Sequence, residues 1–112
     1  MIARLPAGLE VSALLRAIDA SGDSAMVLHR GDPDRGAILM VVLQRGSYHG
    51  CLERRLADGG DYRWMRCGPA DDDRLMLADD LSKRLRFDPD HWQIELNVAD
   101  AERFIAETIA EG

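Results

Sequence analysis

The chain has 112 residues, 46% of them hydrophobic and 30% charged, and its 20 acidic and 14 basic side chains leave a net charge of −6. That balance reads as one soluble globular domain over residues 1–112, and it excludes a disordered tail, a fibrous repeat and a disulfide scaffold. No apolar run approaches the ~20 residues of a bilayer span, and an acidic surface repels phosphate backbones, so neither a membrane nor nucleic acid is an expected partner.

Pro6 suits the first turn of a helix, and Val11, Leu14, Leu15 and Ile18 fall at i, i+3, i+4 and i+7, so a first helix is expected over residues 7–20 with Gly22 as its left-handed stop. Glu10, Arg16 and Asp19 interrupt the only apolar stretch near the N-terminus, which therefore does not read as a secretory signal. The expected setting is the cytoplasm, with Cys51 and Cys67 as free thiols.

Ser24 to Arg30 reads as a short strand, followed by the turn-rich Gly31-Asp-Pro-Asp-Arg-Gly36. Ala37 to Arg45 is almost continuously apolar, which implies burial on both faces and a central place in a sheet. Gly46-Ser47 and Asp58-Gly59-Gly60 punctuate two further strands, Tyr48–Leu56 and Tyr62–Cys67. Connections this short predict a four-strand antiparallel meander.

Asp71, Asp72 and Asp73 precede a helix at 72–86 marked by Leu77, Leu81 and Leu85, which ends before Asp88-Pro89. From His91 to Val98 the pattern alternates, with Trp92, Ile94, Leu96 and Val98 on one face and a wet face opposite. Asp100 caps a last helix at 101–110. The expected fold is α+β, in the order αββββαβα, with a mainly antiparallel five-stranded sheet and helices packed on it.

Five local motifs carry a resemblance. They are Val11-Ser-Ala-Leu-Leu-Arg16, Gly31-Asp-Pro-Asp34 with Gly36, Glu53-Arg-Arg55, Arg86-Phe-Asp-Pro-Asp90 with Trp92, and Ala99-Asp100 with Glu102-Arg-Phe104. Together they resemble an alphaproteobacterial domain-of-unknown-function family, number 1491, over nearly the whole chain, with the FDPD-x-W stretch as the most specific piece. The resemblance implies a bacterial, cytoplasmic, single-domain protein. It brings no activity, so no catalytic or binding role carries over.

Two registers are open for the hairpin around Asp58-Gly59-Gly60. A three-residue loop sets Cys51 opposite Cys67 and Arg55 opposite Arg63, a repulsive pair. A two-residue Gly59-Gly60 turn sets Glu53 opposite Arg66 and Arg55 opposite Trp64, which allows a salt bridge and a cation–π contact, and this register is favoured. It makes Cys51 and Cys67 ordinary half-buried apolar residues.

No metal or other cofactor is expected. His49, Cys51, Cys67 and His91 are zinc-ligand types without CxxC or HxxxH spacing, although alternation sets His49 and Cys51 on one strand face. No serine or cysteine sits in a nucleophile elbow, and Gly31 to Gly36 lacks the Lys-Ser/Thr of a phosphate loop. The aspartates at 71–73 read as helix-capping groups, and Asp88 and Asp90 as turn formers.

The remaining feature is basic. Arg54, Arg55, Arg63 and Arg66 share one hairpin with Trp64, and Arg84 and Arg86 close the second helix. If the hairpin's wet face lies near that helix end, the guanidinium groups converge on an anion or an acidic partner segment. A salt-bridge ladder is the ordinary alternative. Arginine makes up 13 of the 14 basic residues, a bias that reads as the mark of a GC-rich genome and weakens the argument from number alone.

The first functional reading is a non-catalytic module that binds a protein partner, a second copy of itself or a small anion through this hairpin. The second is a small enzyme acting on a phosphorylated or anionic metabolite, with His49, Glu53 or His91 as acid/base. The third is single-stranded nucleic-acid binding, with Tyr62 and Trp64 stacking bases.

Overall fold

The computed structural model describes residues 5–111. Along them run α1 (Ala7–Ala20), β1 (Ser24–His29), β2 (Ile38–Gln44), β3 (Ser47–Leu56), β4 (Tyr62–Cys67), α2 (Arg74–Phe87), β5 (Trp92–Asn97) and α3 (Ala101–Glu111), the expected α+β order. Local chemistry sets the helix ends. Pro6 immediately precedes α1, and Gly22 follows it at φ +87°. The Asp73 carboxylate accepts from Met76 N at 3.0 Å to start α2, and Asp100 accepts from Arg103 N at 3.2 Å to start α3.

The five strands lie in the order β1-β5-β2-β3-β4, and the sheet is mixed. β5 runs antiparallel to β1 but parallel to β2, whereas β2–β3 and β3–β4 are antiparallel. This corrects the mainly antiparallel meander expected from the sequence, because β1 does not pair with β2. The short 30–37 connection needs only to cross the width of one intervening strand, about 10 Å, which a handful of residues spans easily. The chain from β3 through α2 then acts as the crossover that returns β5 parallel to β2.

Helices cover both faces. On one, Ile38, Met40, Val42, Leu52, Ile94 and Leu96 pack with Val11 and Ile18 of α1 and Ile105 of α3. On the other, Leu39, Val41, Leu43, Tyr48 and Cys51 lie with Leu77 and Leu81 of α2. The central position of β2 agrees with its apolar run, since Ile38 to Leu43 are all buried. The wet face expected for the last strand needs correction: His91 and Gln93 are only 5% and 3% exposed. The end of α2 covers them, and Gln93 Nε2 donates to Leu81 O at 3.1 Å.

One junction holds the layers in place. Asp32 N donates to Asp90 O at 2.8 Å, Trp92 N to Ala37 O at 2.7 Å, and the Trp92 indole Nε1 to Asp32 O at 2.8 Å. The same turn receives the start of α1, where Gly8 N donates to Pro33 O at 2.7 Å. Its own shape comes from the Asp32 carboxylate, which accepts from the backbone N–H groups of Arg35 and Asp34 at 2.8 Å each and is held below its ordinary range by them. A Cβ on Gly31 or Gly36 would collide with the Asp90 carbonyl and stand 2.8 Å from Trp92 Cδ1. Gly36→Ala is therefore expected to cost about 3 kcal/mol, since backbone must move, and Trp92→Phe about 1–2 kcal/mol, because the Asp32 carbonyl loses the indole donor and keeps only the longer bond from Gly36 N at 3.3 Å. Urea denaturation midpoints of the two variants against the parent protein check both values.

Candidate functional site

The β3–β4 hairpin adopts the register that the sequence argument rejected. Cys51 stands opposite Cys67, Arg54 opposite Trp64 and Arg55 opposite Arg63. Ala57 N donates to Asp61 O at 2.7 Å, closing a three-residue loop in which Gly59 and Gly60 take φ +93° and +90°. A slip of one residue would turn Trp64 away from the α1/α3 core, where it packs partly buried. Burial of an indole outweighs the repulsion of one exposed arginine pair, which is worth only a few tenths of a kcal/mol.

The repulsion is also relieved locally. Glu53, on the same face as Arg55, accepts from Arg55 Nη2 at 3.0 Å and from Arg84 Nη1 at 2.5 Å. The expected Glu53–Arg66 bridge and Arg55–Trp64 stack are thus replaced, and the hairpin's cation–π contact is Arg54 over Tyr62 at 5.5 Å.

The sheet divides the predicted binding residues into two groups. Arg54, Trp64 and Arg66 face the α1/α3 side, where Arg54 bonds the buried Glu10 and Arg66 Nη2 meets Glu102 at 3.1 Å. Arg55 and Arg63 face the α2 side with Arg84, which also bonds Asp80 at 3.0 Å. Arg63 and Arg86 are exposed. The convergence of these guanidinium groups on one anion is therefore not formed; Arg54, Arg55, Arg66 and Arg84 each sit on a carboxylate. Burial pushes the Glu53 carboxyl up, but its hydrogen bonds to Arg55 and Arg84 prevail and hold it below its ordinary range.

A cavity of about 200 Å³ lies between the end of α2 and the sheet, lined by Ile38, Leu39, Glu53, Arg84, Phe87 and His91 among others. It joins two of the three acid/base candidates to an arginine. Both are already engaged. Asp88 O can only accept, so His91 Nδ1 carries the hydrogen donated to it at 2.6 Å, and His91 Nε2 accepts from Gln93 Nε2 at 3.0 Å. His49 lies elsewhere: a bulge between Val42 and Leu43 sets it toward α3, 3.5 Å from Glu102 Oε1, while Cys51 lies under α2. This corrects the shared face expected for His49 and Cys51. Among the described residues, no three His, Cys, Asp or Glu side chains form a group fit to hold a metal ion.

The feature that the sequence reading missed is the β1 edge. Met26, Val27 and Leu28 are 55%, 38% and 40% exposed on the outermost strand. β4, at the opposite edge, carries Arg63 and Arg66, the kind of charge that discourages further pairing. β1 carries no charge at all. The available signal was the unalternated apolar run Ala25–Leu28 within the short strand expected from Ser24 to Arg30.

Glu53→Gln is expected to cost about 1 kcal/mol, reduced from a fully buried value because the side chain is 23% exposed. A depressed carboxyl contributes stability that is complete above its unfolded value and lost as pH falls through the folded one. The gap in urea midpoint between parent and variant should therefore persist at neutral pH and close as pH drops below 4.5.

A family model described as "Protein of unknown function (DUF1491)" matches residues 5–106. The crystal structure of a DUF1491 protein from Caulobacter crescentus is 25% identical, with a TM-score of 0.79 over 90% of this chain and 94% of that one. An NMR structure of a DUF1491 protein from Caulobacter crescentus is 26% identical, with a TM-score of 0.76 over 87% and 88%. Protein Atu0922 from A. tumefaciens, a structural-genomics target, is 26% identical, with a TM-score of 0.71 over 88% and 89%. No curated protein matches the chain. On the family match, which spans most of its length and the clasp between the 31–36 turn and Trp92, the chain belongs to the DUF1491 family.

Proposed function

We propose that the chain is a non-catalytic, cytoplasmic protein-interaction module that pairs with a second copy of itself along the β1 edge. The observation that carries this reading is the uncovered, uncharged strand Ser24–His29 with Met26, Val27 and Leu28 exposed. Natural edge strands ordinarily carry a charge, a proline or a cover, and an edge without them is a template for another strand.

Charge at the strand ends favours a second copy as the occupant. Asp23 precedes β1 and Arg30 follows it. Antiparallel self-pairing about a two-fold axis normal to the sheet, with Met26 opposite Met26, sets each Asp23 opposite the other copy's His29 and next to its Arg30. Opposite charges then meet at both ends of the junction, and the apolar residues meet in the middle. The arginine-bearing β4 edge contributes by staying unpaired, so the assembly closes at two copies.

The cavity at Glu53, Arg84 and His91 supports a second reading, a small enzyme acting on an anionic metabolite. It is the weaker one, because the carboxylates of Glu53 and Asp80 already neutralise Arg84 and both His91 nitrogens are engaged.

Light scattering on a sizing column tests the first reading. The parent protein is expected to elute as a dimer. Met26→Lys, which sets two ammonium groups face to face at an exposed position, should weaken dimerisation at least tenfold, about 1.4 kcal/mol, with an unchanged circular dichroism spectrum. A parent protein that stays monomeric up to about 1 mM overturns the reading, because dimers weaker than that have little standing in solution. A dimer that Met26→Lys leaves intact overturns it as well.

A further inference from the structure

We infer that Cys51 and Cys67 form a redox-active dithiol site, which closes to a cross-strand disulfide on reaction with a low-molecular-weight disulfide. The two residues are direct partners in the β3–β4 ladder, so their side chains leave the same face of the sheet. Directly opposed residues of an antiparallel pair have Cα atoms about 4.5 or 5.5 Å apart, depending on the pair type, and both values lie within the range a disulfide spans. The register therefore brings the thiols into bonding position without moving the backbone.

The two thiols differ in access. Cys51 is 0% exposed, with the Tyr48 hydroxyl 3.6 Å from its sulfur. Gly68 runs close above it at φ +72°, where a Cβ would stand 3.0 Å from Cys51 Sγ. Cys67 is only half-buried, packed at the margin of the α2-side core, and is the more accessible of the two. The sulfurs share a hydrogen bond that holds Cys51 below its ordinary range despite burial and, together with burial, pushes Cys67 up. The Arg84 guanidinium favours the anion on either sulfur.

The exchange runs in two steps. Cys51 first gives its own hydrogen to the solvent; the Cys67 hydrogen then passes to the Cys51 thiolate across their shared bond, and the Cys67 sulfur attacks the small disulfide. A mixed disulfide forms at Cys67, the reagent's S–S bond breaks, and one small thiolate leaves. Cys51 then gives its hydrogen to the solvent as its sulfur attacks Cys67 Sγ, and the second small thiolate departs. Two thiols and one small disulfide become one protein disulfide and two small thiols, so two electrons and both hydrogens leave the protein.

The test is incubation of the folded protein in glutathione buffers of rising oxidised fraction, followed by thiol alkylation and intact-mass measurement. Parent protein should lose both alkylatable thiols together and two hydrogens in mass, with no glutathione retained. Cys51→Ser, checked for folding by circular dichroism, should stop at a stable Cys67–glutathione adduct. The folded pair should also close at a roughly tenfold or more lower oxidised fraction than the chain unfolded in guanidinium, since the fold supplies the effective concentration. Two alkylatable thiols at the oxidising end, an accumulating mixed disulfide in the parent protein, or equal closure folded and unfolded would each overturn the proposal. The parent protein alone supplies these outcomes, so they stand whether or not the serine variant folds.

Discussion

The strand order depends on the seating of the Trp92 indole and the Asp90 carbonyl against the turn that Gly31 and Gly36 bracket. Both glycines approach so closely that a single added carbon at either would occupy the place of Asp90 O. Backbone hydrogen bonds from Asp32 N and Trp92 N draw the beginning of β5 into the gap between the end of β1 and the beginning of β2. Once β5 enters there, it can only continue between them, parallel to β2 and antiparallel to β1. The same turn fastens the first residues of α1 through Gly8 and Ala7, so one backbone clasp sets both the strand order and the placement of a covering helix. The most specific family motif, Phe87-Asp-Pro-Asp90 with Trp92, is half of this clasp, and its role here is architectural.

Charge is organised around three glutamates. Glu10 of α1, Glu53 of β3 and Glu102 of α3 each receive a guanidinium from the hairpin, on opposite sides of the sheet. The arginine-rich hairpin is thus a set of clips between layers, and α2, with only Leu77 fully buried, is tied to the sheet as much by Arg84–Glu53 and Gln93–Leu81 as by apolar contact. Polar ties of this kind hold orientation more than they add stability, because partly exposed ion pairs are worth little each.

The two edges of the sheet differ in character for the same reason. Arginines on β4 serve the layers and also deter pairing, whereas β1 has its apolar residues divided between a covered and an open side. The interaction reading concerns β1, and the dithiol lies in β3 and β4 with β5 and β2 between. Self-association and thiol exchange are therefore separable properties of one sheet, each resting on its own residues.

Element boundaries, helix caps and the central burial of β2 were legible in the chain, because each depends on residues within a turn or two of one another: Asp73 on Met76, Asp100 on Arg103, Gly22 on the turn before it, and six consecutive apolar residues in β2. The family, too, was legible from short motifs. Strand order was not, since a brief connection limits distance and leaves open which strand lies between its ends. The hairpin register was misjudged because side-chain pairs across the strands were weighed without the core that Trp64 had to reach. The partition of the arginines, the separation of His49 from Cys51 and the meeting of the two thiols all followed from that register and from one bulge. Sequence by itself determined the local structure, where the interacting groups are neighbours in the chain. The tertiary structure alone decided which faces and edges those groups occupy, because each such choice is settled by contacts between segments far apart along it.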